Sequence, residues 1–318
     1  MRDNFGREID YLRISLTDLC NLRCLYCMPA EGIDKRSHRE ILSLEEVAEI
    51  AAAAASLGVR KLRLTGGEPL VRRGVLSLVE KLAALPGIEE LAMTTNGVLL
   101  PKFAKELKAA GLTRVNISLD TLDAEKYRRI TRGGELKDAL AGIEAALAAG
   151  LEPVKLNAVL IGGFNDDEIP ALAALTQAKP LEMRFIELMP IGDMEIFGAE
   201  AYLPADTVLE RLPDLEPLSG KTDGVARLYV LPGAQGKVGL IRPVSCSFCG
   251  ECNRIRLTAD GFLKPCLHSG KEILLRGLHG DALRAALAEA VGQKPKEHAA
   301  LSERERSGAG RNMHEIGG

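Results

Sequence analysis

From Tyr11 to about Leu188 the chain repeats one unit, a short β-branched run followed by a longer stretch with helical periodicity. The runs are "YLRISL", "VRKLRLT", "IEELAMTT", "TRVNISL", "PVKLNAVLI" and "LEMRFIEL". Between them, "SLEEVAEIAAAAASLG" opens with a capping box at Ser43 and Glu46 and closes at Gly58. A second such stretch, "ELKDALAGIEAALAAG", closes at Gly150. Six β-α units in succession demand parallel strands joined by right-handed crossovers. With 46% hydrophobic but only 4% aromatic residues, the buried sheet has to pack on Ala, Leu, Val and Ile. The expected class is α/β, with residues 1–190 forming an incomplete six-stranded parallel (β/α)6 barrel. A closed eight-stranded barrel needs two further units, and the pattern changes instead.

After about Gly192 the alternation fails. "LPADTVLERL" reads as a helix, and "ARLYVLP" and "GKVGLIRPV" read as strands. "RIRLTADGFLKPCL" reads as a hairpin turning at Asp260-Gly261. Residues 191–293 are therefore expected to form a smaller α+β region that closes the barrel. Residues 294–318 are polar, lack apolar periodicity and are expected to be a flexible tail ending in Gly-Gly. The formal charge of −3 gives no global reason for nucleic-acid or membrane binding. Neither a signal-peptide core nor an apolar run of transmembrane length is present, so a cytoplasmic location is expected. In that reducing compartment seven cysteines point to metal or redox sites before disulfides.

Parallel α/β folds place their ligands at the carboxyl ends of the strands. Those ends carry, in order, the cysteine run "CNLRCLYCMP", "TGGEP" (65–69), "TTNG" (94–97), "SLD" (118–120) and "ELMP" (187–190). Cys20, Cys24 and Cys27 give C-x3-C-x2-C and no fourth ligand. An iron–sulfur cube held by three thiolates keeps one iron open, and an open position is what distinguishes a catalytic metal site. A zinc site with a distant fourth ligand is the competing assignment.

The run C-x3-C-x2-C, with Tyr26 just before the last cysteine, resembles the radical S-adenosylmethionine (SAM) superfamily. The resemblance implies a radical SAM barrel in which SAM chelates the open iron. Reduction of the cluster then cleaves SAM to methionine and a 5′-deoxyadenosyl radical. It further implies SAM contacts at Tyr26, Gly67, Ser118 and Met189. Glycines at 66 and 67 let backbone approach a ligand that a Cβ would crowd.

"CSFCGECNRIRLTADGFLKPC" holds Cys246, Cys249, Cys252 and Cys266. The hairpin would return Cys266 toward Cys249 and Cys252, for a second cluster or a structural zinc. With "LRLTGGEPLVR", "VNISLDTL", "RFIELMP" and the final "IGG", the chain resembles the GTP 3′,8-cyclase family of molybdenum cofactor biosynthesis over nearly its whole length. That family implies two 4Fe–4S clusters. The second is held by Cys249, Cys252 and Cys266, with its free iron turned to the guanine. Two positions depart from the family. Cys246 stands where a non-ligand is expected and would add a fourth thiolate if it bound. Leu19 stands where relatives carry Arg.

A triphosphate needs local cations, and guanidinium forks match phosphate oxygens. Arg13, Arg63 and Lys155 lie inside otherwise apolar strands, where charge is costly unless it faces a cavity. Alternation puts Arg254 and Arg256 on one face. By resemblance these five, with Thr94, contact GTP, and no P-loop is present. The family also places Gly317 and Gly318 in the catalytic pocket. Arg256, or a cation near it, is a candidate to assist the last reduction.

The implied enzyme is a radical SAM lyase. It removes the ribose 3′ hydrogen of GTP and cyclises the sugar onto guanine C8, giving (8S)-3′,8-cyclo-7,8-dihydroguanosine 5′-triphosphate. Its implied partners are GTP, an electron donor and a hand-off to cyclic pyranopterin monophosphate synthase, with the chain a monomer or homodimer. The alternatives are a peptide-modifying radical SAM enzyme with an auxiliary cluster, or a non-catalytic iron–sulfur or zinc protein.

Overall fold

The computed structural model describes residues 1–33, 36–37, 39–191, 197, 199–223, 225–246, 248–299, 301 and 307–317, with the side chains of 219–223 left aside. The six runs form β1 (Tyr11–Ser15), β2 (Lys61–Thr65), β3 (Glu90–Thr95), β4 (Arg114–Ser118), β5 (Val154–Leu160) and β6 (Leu181–Glu187). They lie side by side in sequence order, and every neighbouring pair is parallel. Their crossovers carry α1 (Leu44–Ser56), α2 (Val75–Ala83), α3 (Leu100–Ala109), α4 (Ala124–Thr131), α5 (Leu136–Ala148) and α6 (Ile169–Ala178). The capping box at the start of α1 forms as the sequence requires. Glu46 N donates to Ser43 Oγ at 3.1 Å, and Ser43 N donates to Glu46 Oε2 at 2.8 Å. Leu12, Ile14, Leu62, Leu64, Met93, Ile117, Leu156 and Phe185 are fully buried, so the sheet packs mainly on aliphatic side chains, with Phe185 the aromatic among these.

The C-terminal region extends both edges of this sheet. After the short α7 (Thr207–Arg211), strands β7 (Glu216–Asp223), β8 (Ala226–Val230) and β9 (Lys237–Ile241) follow, and β9 lies parallel to β6. Strand β10 (Arg254–Leu257) lies parallel to β1, and β11 (Phe262–Lys264) and β12 (Ile273–Leu274) continue the sheet beyond it. The twelve strands run β12-β11-β10-β1-β2-β3-β4-β5-β6-β9-β8-β7. Eight parallel strands therefore stand in a row, two of them supplied without β-α repeats. The hairpin reads through as expected, turning with Gly261 at φ +90°. Helix α8 (Gly280–Gly292) packs against α1 and β11.

The expectation of a flexible tail from residue 294 is corrected for the described residues. Lys294, Ala309, His314 and Ile316 are almost fully buried, and Met313–Ile316 form α9. Polar anchoring explains the miss. Lys264 Nζ donates to Ala309 O at 2.9 Å, Ser307 N to Pro190 O at 2.8 Å, and Arg7 Nη2 to Pro295 O at 2.6 Å. No apolar periodicity is needed for such contacts. Gly318 lies outside the described residues.

Candidate active site

A cavity of about 330 Å³ runs through the barrel interior, from Lys61 and Glu90 at the strand starts to Asn96, Ser118 and Met189 at their ends. Cys20, Cys24 and Cys27 line it from the loop after β1. Burial pushes the Cys20 and Cys24 thiols up and Cys27 up to about 12, and neighbouring thiols add to the effect at Cys24 and Cys27. Thiols in this state gain most from a cationic metal, which stabilises the thiolate. Backbone Leu22 N donates to Cys20 Sγ at 3.3 Å, and Asn96 Nδ2 faces the same sulfur at 3.7 Å. Hydrogen bonds to ligand sulfurs of this kind set the properties of iron–sulfur sites. The soft, all-thiol donor set suits an iron–sulfur cube, which takes its cysteines on separate irons. Among the described residues no three His, Cys, Asp or Glu side chains gather tightly enough for a single ion.

The "GGEP" turn is pressed onto this loop. Gly67 N donates to Thr17 O at 2.7 Å and Glu68 N to Leu19 O at 2.9 Å. A Cβ on Gly67 would sit 2.5 Å from Leu19 O, so only glycine fits. Glu68, fully buried, accepts from Leu70 N at 3.0 Å, Thr95 Oγ1 at 2.9 Å and Asn96 N at 2.8 Å. It thereby joins the ends of β2 and β3, and burial lifts its carboxyl to about 7. Tyr26 OH donates to Asp120 Oδ2 at 2.7 Å, fixing the cysteine loop to the end of β4. Tyr26, Gly67, Ser118 and Met189 all line the cavity.

The opposite part of the cavity is cationic. Register places Arg256, Arg13 and Arg63 in one row across β10, β1 and β2, so their side chains leave the sheet on the same face. All three are buried. Burial first, then neighbouring guanidiniums, pushes Arg13 well below the arginine range; burial leads at Arg63 and Arg256 too, each brought down to about 10. Arg254 and Thr94 complete the lining. Buried Arg63 Nε, Thr94 Oγ1, Asn157 Oδ1 and Arg254 Nη2 have no hydrogen-bond partner within the protein, which fits a cradle for a polar ligand. Lys155 does not line the cavity. It lies beneath the surface, 3.6 Å from Glu182, with its ammonium pushed down to about 7 by burial and by Arg184 and Arg114.

The residue-by-residue expectation missed Arg114 and Arg184, which also line the cavity. Arg114 is held by Glu90 at 2.7 Å and Asn116 at 2.6 Å, and Arg184 by Glu182. Both obey the rule that singled out Arg13, a charge within an apolar strand, so the signal was available.

The second cysteine set stands behind the cationic wall. Cys249, Cys252 and Cys266 are half-buried, and their neighbours Phe248, Asn253, Arg254 and Leu267 reach the cavity. Burial raises Cys252, but Lys294 and Arg254 outweigh it and leave the thiol lowered. Lys294 Nζ also donates to Arg254 O and Pro265 O, both at 2.8 Å, clamping the two arms that carry Cys252 and Cys266. This cation-rich setting fits a second set of cluster thiolates. Cys246 is exposed. At the end of β6, buried Glu187 accepts from Ala205 N at 3.0 Å and from Val244 N and Ser245 N at 2.9 Å. It thus ties that strand to the loop ahead of this set.

The tail reaches the site, where Met313 lines the cavity. Arg256 Nη1 donates to Gly317 O at 2.8 Å, and His314 Nδ1 lies 2.8 Å from Cys27 O.

Comparison with known proteins agrees with this geometry. The Radical SAM superfamily family model matches residues 14–176, and Molybdenum Cofactor Synthesis C matches 181–300. A GTP 3′,8-cyclase of Alkaliphilus oremlandii is 50% identical over the whole of both chains. One of Peptoclostridium acidaminophilum is 53% identical, covering 93% of this chain and 92% of the relative. Streptococcus suis SuiB, solved with its precursor peptide SuiA, aligns with a TM-score of 0.64 at 16% identity, over 83% of this chain and 61% of that one. That likeness bears on the fold alone. With full-length identity near one residue in two and both motif sets in place, the chain belongs to the GTP 3′,8-cyclase family of the radical SAM superfamily.

Proposed function

We propose that this chain is a cytoplasmic GTP 3′,8-cyclase, converting GTP to (8S)-3′,8-cyclo-7,8-dihydroguanosine 5′-triphosphate in molybdenum cofactor biosynthesis. The row Arg256–Arg13–Arg63 carries the reading, because it shares one cavity with the three-cysteine loop. Three buried guanidiniums side by side repel one another, and an anion in the cavity relieves that repulsion. A triphosphate is such an anion, and guanidinium forks bind it with defined geometry. Cys20, Cys24 and Cys27 would hold the cluster that, with SAM, would supply a 5′-deoxyadenosyl radical for the ribose 3′ hydrogen.

The remaining work belongs to the chain's own side chains. Gly67, Tyr26, Ser118 and Met189 hold SAM, with Tyr26 oriented by Asp120. Arg13, Arg63, Arg254, Arg256 and Thr94 hold the nucleotide, and Arg114 and Arg184 belong to the same wall. Phosphate binding remote from the sugar fixes the ribose in place, so binding energy is spent on orientation. Cys249, Cys252 and Cys266 would hold the second cluster, which would supply an open iron for the base, and exposed Cys246 stands outside that set. Arg256 joins the nucleotide wall to Gly317 O, and in this reading it, or a cation near it, assists the last reduction. An electron donor is the partner this chemistry requires, and a cyclic pyranopterin monophosphate synthase is the proposed recipient of the product.

The test is anaerobic turnover of the reconstituted protein with SAM, GTP and a reductant. The expected result is stoichiometric 5′-deoxyadenosine and the cyclised nucleotide. SAM cleavage that GTP neither stimulates nor channels into product would reject GTP as substrate.

A further inference from the structure

We infer that Arg311 is a positioning residue for the reaction: its ion-pair network seats the C-terminal tail so that Gly317 meets Arg256 and His314 meets the Cys27 loop. Arg311 makes a two-pronged contact with Glu272, Nε to Oε1 and Nη2 to Oε2, both at 2.7 Å. Its third nitrogen, Nη1, reaches Asp260 Oδ2 at 2.9 Å, and its plane lies over Phe262 at 5.2 Å. From Asp260 the chain of charges continues. Arg36 contacts Asp260 at 2.6 Å, Asp18 at 3.0 Å and Glu315 of the tail at 3.2 Å. From Glu272 it runs the other way, to Lys264 at 2.9 Å.

Three cations and four carboxylates thus link the hairpin before Cys266, the tail, and Asp18 beside Cys20. Lys264 is fully buried and needs its acceptors. It donates to Ser269 O at 2.8 Å and to Ala309 O of the tail at 2.9 Å. Lifting the tail would leave that ammonium short of a partner in a dry setting, which is costly. The tail offers little apolar surface to hold it otherwise, with Ala309 and Ile316 its only fully buried aliphatics among the described residues. Charge geometry, and Arg311 above all, therefore sets where residues 307–317 lie. A lysine cannot reproduce the fork.

The kinetic arm of the test rests on the proposed cyclase activity; the exchange arm does not. Hydrogen exchange over residues 307–317 should accelerate about tenfold in full-length, cluster-loaded Arg311→Ala, as expected for local loss of a half-buried ion-pair network. Arg36→Ala should accelerate it less, and Arg311→Lys should restore only part of the protection. In turnover, Arg311→Ala should form 5′-deoxyadenosine while kcat for cyclised product falls about tenfold and KM for GTP changes less. Wild-type exchange in Arg311→Ala, or loosened exchange with unchanged cyclisation, would overturn the positioning role. A wild-type chain inert toward GTP would instead reject the cyclase reading, with the exchange result still deciding whether Arg311 anchors the tail.

Discussion

Gly317 passes between the ends of β1 and β2 with no room for a side chain: a Cβ there would lie 2.2 Å from Thr65 Oγ1 and 3.2 Å from Ser15 Cβ. Its φ of +81° is also one that L-residues adopt only at a cost. Gly317→Ala should therefore dislodge the carbonyl that Arg256 holds, for a local penalty of about 1–3 kcal/mol. The expected phenotype is retained 5′-deoxyadenosine formation with loss of cyclised nucleotide, read by chromatography of both products. Adding Thr65→Ala, which removes the closest atom, should recover part of the activity; no recovery would place the fault in the backbone angle alone.

Lys155 gives a pH dependence with a definite sign. Burial, then Arg184 and Arg114, holds its ammonium down at about 7, so much of it is neutral at neutral pH in the free protein. An anion in the cavity favours the charged form and lifts that value. GTP binding should then take up a proton above pH 7, and affinity should fall as pH rises, by at most about tenfold per unit. For folding, the depressed value means a penalty fully present below pH 7 that fades as pH approaches the unfolded value of 10.5. Calorimetry in buffers of different ionisation enthalpy measures the uptake. Lys155→Met should abolish it, and equal uptake in both proteins would remove Lys155 from the nucleotide's electrostatic reach.

The two cysteine sets should separate by metal content. Anaerobically reconstituted protein should hold about eight irons, as expected for two four-iron cubes. Replacing Cys20, Cys24 and Cys27 with Ala should leave about four irons and no SAM cleavage. Cys249→Ser should spare SAM cleavage and abolish cyclisation, while Cys246→Ser should leave iron content and turnover unchanged, as its exposure implies. Stripping the metal should lower the melting temperature, because both loops lose a shared anchor.

The barrel was legible in the sequence because its signals are local. Each barrel strand is a short, largely apolar run ahead of a helical stretch, and the α1 cap is written in Ser43 and Glu46. The motif residues reach one cavity because strand order follows sequence order, so motifs at strand ends must share a rim. The pairing of β10 with β1 and of β9 with β6 was not legible. Edge choice depends on contacts far apart in sequence, such as Arg256 beside Arg13. The tail was misread for a related reason. Its anchors are charges whose partners, Asp260 and Glu272 for Arg311, lie some 40–50 residues away, and a polar stretch looks the same whether or not such partners exist. Lys155 followed the rule for in-strand charge yet lies outside the cavity lining, with Glu182 on the neighbouring strand 3.6 Å away.

Glu68 supplies a last prediction, on stability. Its two oxygens accept from Leu70 N, Thr95 Oγ1 and Asn96 N, and burial raises the carboxyl from 4.5 to about 7. A carboxyl with a raised folded value binds its proton more tightly in the native state. Its ionisation therefore costs nothing below pH 4.5, costs progressively more up to pH 7, and is constant above. The slope from this group is at most about 1.4 kcal/mol per pH unit. Glu68→Gln removes the titration and should flatten the decline of stability over that window, measured by denaturant melts from pH 4.5 to 8. Buried Asp18 and Asp120, each raised to about 6, keep contributing in both proteins, so the difference isolates Glu68. The amide also turns an N–H toward Asn96 N or Leu70 N, a donor facing a donor, which should cost about 1–3 kcal/mol at pH 8. An unchanged pH slope in the variant would mean that Glu68 is ionised at little cost, its three donors fully offsetting burial.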